Sequence, residues 1–261
     1  RETPWKTDDK FYQKDLAKTL IRISKYGRDG FYKGPIADLI VDEMKRGNGL
    51  ISHQDLENYK SVYRDPIIGD YKEYTIVSMG PPSSGGVLLI NMFNQLSFFA
   101  LDTMGWNSSQ YIHYLTEVER RAYADRAEHM GDPDFWNVPI EFLIDTAYAF
   151  ETAKTILPNK ASLSSEIHAG NPWPAESNET THYSVVDQWG NAVSVTTTLN
   201  TSYGCGVVVK GAGFFLNNEM DDFSAKPGIP NIYGLVGKEA NAIAPGKRPL
   251  SSMTPTIVLK D

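Results

Sequence analysis

The chain has 261 residues, 41% of them hydrophobic and 22% charged, enough apolar side chains for one large core or two small ones. With 25 Lys and Arg against 32 Asp and Glu the formal charge is −7, which excludes the basic footprint of a nucleic-acid-binding protein and a basic stripe for anionic lipid. Small polar molecules remain as the expected partners.

The opening RETPWKTDDK carries none of the basic, apolar and small-residue segments of a secretion signal. Leu16, Leu20 and Ile23 then recur at helical spacing before Gly27, which is placed as a C-terminal cap. A second helix is expected to start at Pro35, carry Ile36, Leu39, Ile40 and Met44 on one stripe and stop at Gly47. Ser52 caps a short third helix, with Asp55 near its N-terminal dipole. From Pro66 the β-branched and aromatic residues Ile67, Tyr71, Tyr74, Ile76 and Val77 predict strands.

The turn GPPSSGG, Gly80 to Gly86, leads into a helix expected from Val87 to about Leu101. That helix contains the longest apolar run, but Asn91, Asn94 and Gln95 interrupt it and it is too short to span a bilayer. Ser83 and Ser84 lack the G-x-S-x-G spacing of a nucleophile elbow and read as strand-to-helix packing. Another long helix is expected from about Ser109 to Met130. Asp125, Glu128, His129, Asp132 and Asp134 have metal-ligand side chains, but Gly131 and Pro133 mark a helix end where such groups cap or are solvated, so no metal is expected.

Residues 157–179, with Pro158, Pro172, Pro174 and several serines, read as a mobile linker and as the clearest boundary in the chain. Beyond it, THYSVVD and NAVSVTTT flank QWG and predict a β-hairpin. The one cysteine, Cys205, excludes an internal disulfide and a multi-cysteine metal site, and is expected to be a small buried or edge-strand residue. Helices first and strands later suggest an α/β layered domain whose sheet is assembled late in the chain.

A threonine can act as a nucleophile when its own α-amine takes the hydroxyl proton, which requires it to be the first residue of a chain. At Glu179–Thr180 a Pro-rich linker runs directly into a strand, the arrangement such a cut needs. On the residues alone, threonines opening a strand are equally what β-propensity supplies.

The run ESNETTHYSVVDQWGNAVSVTTTLNTSYG, Glu176 to Gly204, resembles the autoprocessing junction and first hairpin of the γ-glutamyltranspeptidases. LNNEMDDFSAKPG at Leu216, PNIYGLVG at Pro230 and PGKRPLSSMTPTIV at Pro245 follow in the family's order and spacing. YKGPIADLI, GLISHQDLENYK, SMGPPSSGG and RAYADRAEHMGDPDF resemble the later half of the family's large chain, so the likeness covers essentially the whole sequence.

The resemblance implies an incomplete four-layer αββα sandwich (α/β, or α+β) of the N-terminal nucleophile hydrolase type. Residues 1–179 would be the end of a large chain and 180–261 the start of a small chain from the same precursor. It implies autocatalytic cleavage between Glu179 and Thr180, Thr180 as nucleophile, and Thr198 as the residue whose hydroxyl holds the nucleophile's oxygen. Asn200, Glu219 and Asp222 would grip a substrate ammonium through charge-assisted hydrogen bonds, and Ser251 and Ser252 would donate to its carboxylate. Without the resemblance, Glu219 and Asp222 read as a solvated face. The Gly- and Pro-rich stretch centred on Tyr233 resembles the lid of those members that have one, which acylases acting on cephalosporins tend to lack; a closing loop excludes water.

The implied reaction is γ-glutamyl transfer from glutathione or a related compound to water or an acceptor amine, without a cofactor, in a periplasmic or extracellular location. The family also uses an arginine early in the large chain and a glycine pair as oxyanion hole, and both fall outside these 261 residues. Loss of one oxyanion donor costs on the order of 100-fold in rate, so these residues by themselves are expected to make a poor enzyme. The competing expectations are an uncleaved, non-catalytic fragment and a relative acting on another acyl amide. Sequons at Asn107, Asn178 and Asn200 are read as coincidental, since a glycan at Asn178 or Asn200 would obstruct the junction or the site.

Overall fold

The computed structural model describes residues 6–167, 180–229 and 237–260. They fall into two compact units, one from Arg1–Tyr63 with Thr201–Asn217, the other from Arg64–Asn200 with Asn218–Asp261. Each unit therefore draws on sequence from both sides of residue 179.

In the first unit, helix α1 (Lys14–Tyr26) ends where Gly27 takes φ +58° and donates its amide to Ile23 O at 2.8 Å, as a C-terminal cap should. Its inward face is shifted from the expected stripe. Thr19 is buried and donates to Ala212 O at 2.8 Å, whereas Leu20 is exposed. After α2 (Asp29–Tyr32), helix α3 (Pro35–Gly47) begins on its proline and closes on Asn48 in the left-handed region, φ +56°. Helix α4 (His53–Asn58) opens with a reciprocal cap: the Ser52 amide donates to Asp55 Oδ2 at 2.8 Å and the Asp55 amide to Ser52 Oγ at 3.3 Å. Ile36, Ala37, Ile40, Val41 and Leu56 form a core that is completed by Val209 and Ala212 from the returning segment. Cys205 departs from the expectation. It is exposed in a turn, its amide donating to Leu216 O at 3.1 Å, because the chain there curls back on itself and makes no edge strand.

In the second unit, β1 (Ile67–Tyr71) and β2 (Tyr74–Ser78) form an antiparallel hairpin, and β5 (Thr256–Lys260) adds to β2 with Ile76 opposite Val258. This sheet thus joins early and late sequence. Helix α5 (Gly85–Leu96) packs on β1 and β2; it starts two residues before the expected Val87 and stops before Leu101, where Leu101–Thr103 forms a separate 3-10 turn. Helix α6 (Ser109–His129) is capped by Ser108, whose Oγ accepts from the Tyr111 amide at 3.2 Å, and the short helices α7 (Ile140–Leu143) and α8 (Thr146–Ala153) follow. Ile67, Val87, Ile90, Met130, Leu143 and Leu250 form one core cluster, and Leu96, Tyr114, Val118 and Ile156 another. Hairpin β3 (Thr180–Val186) and β4 (Ala192–Thr198) touches β5 through the Thr256 amide, which donates to Ser194 Oγ at 3.1 Å.

The first part of the stretch read as a linker is fastened to α6. Buried Glu117 accepts from Ser162 Oγ and from Arg121 Nη1, both at 2.6 Å, and from Arg120 at 2.7 Å. Burial alone would raise the Glu117 pKa, but the hydrogen bonds from Ser162 and Arg121 outweigh it and hold the carboxyl at about 2. Residues 168–179 lie outside the described residues.

Candidate active site

β3 and β4 pair without a shift over seven residues, from Val186 opposite Ala192 at the turn to Thr180 opposite Thr198 at the open end. The turn sets this register: the Asp187 carboxylate accepts from the amides of Trp189 and Asn191, both at 2.9 Å, and Gly190 takes φ +86°. His182 lies on the same strand face as position 180 and is exposed, its Nδ1 2.8 Å from Thr196 Oγ1 across the pair. Glu179 lies outside the described residues, and for Thr180 the strand position is described.

Past Thr198 the chain turns sharply. Asn200 takes φ +76°, a left-handed conformation that asparagine tolerates better than most residues, and donates its amide to Thr198 Oγ1 at 2.9 Å. Its buried side chain donates to Asn218 O at 3.3 Å, while the Asn218 amide donates to Leu199 O at 3.2 Å. The end of β4 is thereby laced to the segment carrying Glu219 and Asp222, the first and last residues of one 3-10 turn. A glycan on Asn200 has no room in that buried position.

The carboxyls of this turn are partly buried and close in charge. Burial, followed by the neighbouring Glu219, pushes Asp222 up to about 7 against the pull of Arg126, and burial raises Glu219. Groups in this state gain from a cation placed between them.

Behind the turn, the Asn241 Nδ2 donates to Asp222 O at 2.7 Å and its Oδ1 accepts from the Leu250 amide at 3.0 Å, so the same buried side chain sets the entry to Ser251 and Ser252. The serine pair lies along the Gly80–Gly86 turn. The Ser84 amide donates to Ser251 O at 2.8 Å, the Ser251 amide to Pro82 O at 2.9 Å, and Ser84 Oγ to Ser251 O at 3.0 Å. Ser83 and Ser84, read as packing residues, thus hold the serine pair in place. Arg126, buried in α6, donates from Nε to Ser84 Oγ at 2.9 Å and from Nη2 to Ser252 Oγ at 3.1 Å. Burial lowers its pKa to about 10 despite Asp222, and it stays a cation at neutral pH.

Hydrogen bonds therefore link Thr198 and Asn200 to the segment of Glu219 and Asp222 and, through Asn241, that segment to the one carrying Ser251 and Ser252. Tyr233 lies outside the described residues. The acidic residues near Gly131 are taken up by hydrogen bonds and ion pairs: Asp125 accepts from Tyr148 at 2.7 Å, Asp132 from the Arg248 amide at 2.8 Å, Asp134 from Arg64 at 2.6 Å, with Arg64 also 3.4 Å from Asp132, and Glu128 pairs with Lys238. Among the described residues no three potential ligands converge as a metal site. No described helix is long and apolar enough to cross a membrane.

Arg126 and Asn241 were missed by the sequence reading. Neither stands at a spacing that marks it out, because each is buried by partners distant in sequence.

A family model described as gamma-glutamyltranspeptidase matches residues 1–261. The glutathione hydrolase proenzyme of Escherichia coli is 54% identical over 258 residues, 99% of this chain and 44% of that protein. The crystal structure of Helicobacter pylori γ-glutamyltranspeptidase aligns at TM-score 0.60 and 44% identity over 65% of this chain and 49% of that one. A cephalosporin acylase from Bacillus halodurans aligns at TM-score 0.75 and 25% identity over 95% of this chain and 42% of that one. The chain thus spans less than half the length of the curated relatives it matches.

Proposed function

The chain belongs to the γ-glutamyltranspeptidase family of enzymes, and from that premise we propose that it carries the nucleophile and ligand clamp of a γ-glutamyl-transferring enzyme whose donor is glutathione or a similar γ-glutamyl amide. In this reading the precursor cleaves itself between Glu179 and Thr180. The new α-amine of Thr180 accepts the proton of its own hydroxyl, whose oxygen attacks the γ-carbonyl. The departing amine takes that proton, and water or an acceptor amine then attacks the ester and regenerates the threonine. Thr198 holds the nucleophile's oxygen, Asn200, Glu219 and Asp222 take the α-ammonium, Ser251 and Ser252 take the α-carboxylate, and Tyr233 belongs to a closing lid. The reaction needs no cofactor, the fold is the four-layer αββα sandwich, and the compartment is periplasmic or extracellular.

The observation that carries this reading is the hairpin register that sets Thr180 opposite Thr198, with Asn200 two residues on and bonded to the segment of Glu219 and Asp222. The test is Thr180→Ala in the complete gene product. The expected result is one uncut chain by mass spectrometry and no release of amine from a γ-glutamyl anilide; preserved cleavage or turnover would sink the assignment.

The likeness to a cephalosporin acylase favours a second reading, an acylase acting on another amide such as a glutaryl donor. A glutaryl group has no ammonium for Glu219 and Asp222, so γ-glutamyl and glutaryl anilides assayed side by side distinguish the two.

A further inference from the structure

We infer that Arg126 is the positioning residue of the serine half of the ligand clamp: its guanidinium donates to the Ser252 hydroxyl, leaving that hydroxyl's own proton for a ligand, and through Ser84 it fixes Ser251. The inference rests on the proposed roles of Ser251 and Ser252 and assigns a residue beyond them.

The argument starts from the single proton of a serine hydroxyl. Arg126 Nη2 donates to Ser252 Oγ at 3.1 Å, and a guanidinium has no lone pair to accept in return. One lone pair of the oxygen is thus engaged by Arg126 while its O–H remains available to donate, on a residue that is exposed. Ser251 is arranged alike, with its Oγ accepting from the Met253 amide at 3.0 Å. Two hydroxyls each fixed as an acceptor by a buried or backbone donor form a pair of donors ready for one anion. The second link runs through Ser84, whose Oγ accepts from Arg126 Nε at 2.9 Å and donates to Ser251 O at 3.0 Å. One cation therefore fixes both serines.

The same charge acts on the acidic side. Among the described residues, Glu219 and Asp221 from its own turn raise the cost of charge on Asp222, and Arg126 from α6 opposes them. Removing Arg126 takes away that opposing charge, and Asp222 then holds its proton to higher pH.

The experiment uses the complete gene product and a γ-glutamyl anilide across about pH 5 to 9. Arg126→Lys, which keeps the charge but loses the fork, should raise KM about 10-fold with kcat within about threefold and the acid limb of kcat/KM unmoved. Arg126→Gln should raise KM further and move that limb upward by about one pH unit. In a Ser252→Ala background, Arg126→Lys should raise KM by clearly less than in the parent, about threefold, because the Ser252 contact is already gone and only the link through Ser84 is left to lose. A full 10-fold effect of the lysine variant in that background, or an unchanged KM in the parent, overturns the inference. Should the glutamine variant fail to fold, as thermal unfolding would report, the lysine cycle still decides. Failure of the unsubstituted protein to turn over any γ-glutamyl donor would instead bring down the proposed function, and this inference with it.

Discussion

The side-chain amide of Asn241 couples Asp222 to Leu250, donating to the carbonyl of the first at 2.7 Å and accepting from the amide of the second at 3.0 Å. The two strands of sequence it joins carry the acidic and the hydroxyl halves of the candidate site. Asn241→Ala leaves a buried carbonyl and a buried N–H without this partner and is expected to destabilise the fold by about 3 kcal/mol. Urea unfolding checks this against Asn58→Ala on an exposed helix end, expected within about 0.5 kcal/mol; equal losses would contradict the coupling.

Asp222 should decide which acyl donor is preferred. Replacing it with Asn removes the charge opposite a substrate ammonium, and kcat/KM for a γ-glutamyl anilide should fall about 10- to 100-fold relative to a glutaryl anilide, matching about 1.4–2.8 kcal/mol for a charge-assisted hydrogen bond. An unchanged ratio would move the ammonium site elsewhere.

Glu117 gives an acid-side test. Its folded pKa is depressed from 4.5 to about 2, so the stability it contributes is complete above about 4.5 and is lost as the pH falls through about 2. Glu117→Gln breaks a buried pair and should cost about 3 kcal/mol at neutral pH. The gap between the two proteins should close in strong acid. A gap independent of pH would show that packing, not charge, is what the substitution removes.

Asp125 has the opposite sign. Burial raises its pKa from 3.8 to about 6 although the Tyr148 hydroxyl, donating at 2.7 Å, favours the anion. The neutral form suits the folded state, so stability is full below about 4 and declines as the pH rises through about 6. Asp125→Asn keeps an acceptor for Tyr148 and should flatten that decline, which unfolding free energies measured at several pH values would show.

Much of the local structure was legible because its causes are local. Pro35 and Gly47 bound α3, Ser52 and Asp55 close a cap within three residues, and QWG centres a hairpin whose register follows from Asp187. The start of α5 was not legible, since a glycine pair reads as a turn. Gly85 is helical, and it is a glycine because the chain passes so close to Thr254 that a Cβ would come within 2.2 Å of its hydroxyl. Thr19 displaced Leu20 from the inward face of α1 for a similar reason, a partner at Ala212 almost two hundred residues away. The ligand clamp was named through family likeness, whereas Arg126 and Asn241, which hold it, are polar residues buried by distant partners that no spacing announces.

Val209 and Ala212, which follow the proposed cut, sit in one hydrophobic core with Ile36 and Ile40, which precede it, and β5 is hydrogen-bonded to β2 in the same way. Severing the backbone before Thr180 would consequently release no fragment. The two polypeptides would remain locked as a heterodimer, coming apart only under conditions that melt both units, and neither piece expressed by itself would possess a finished interior.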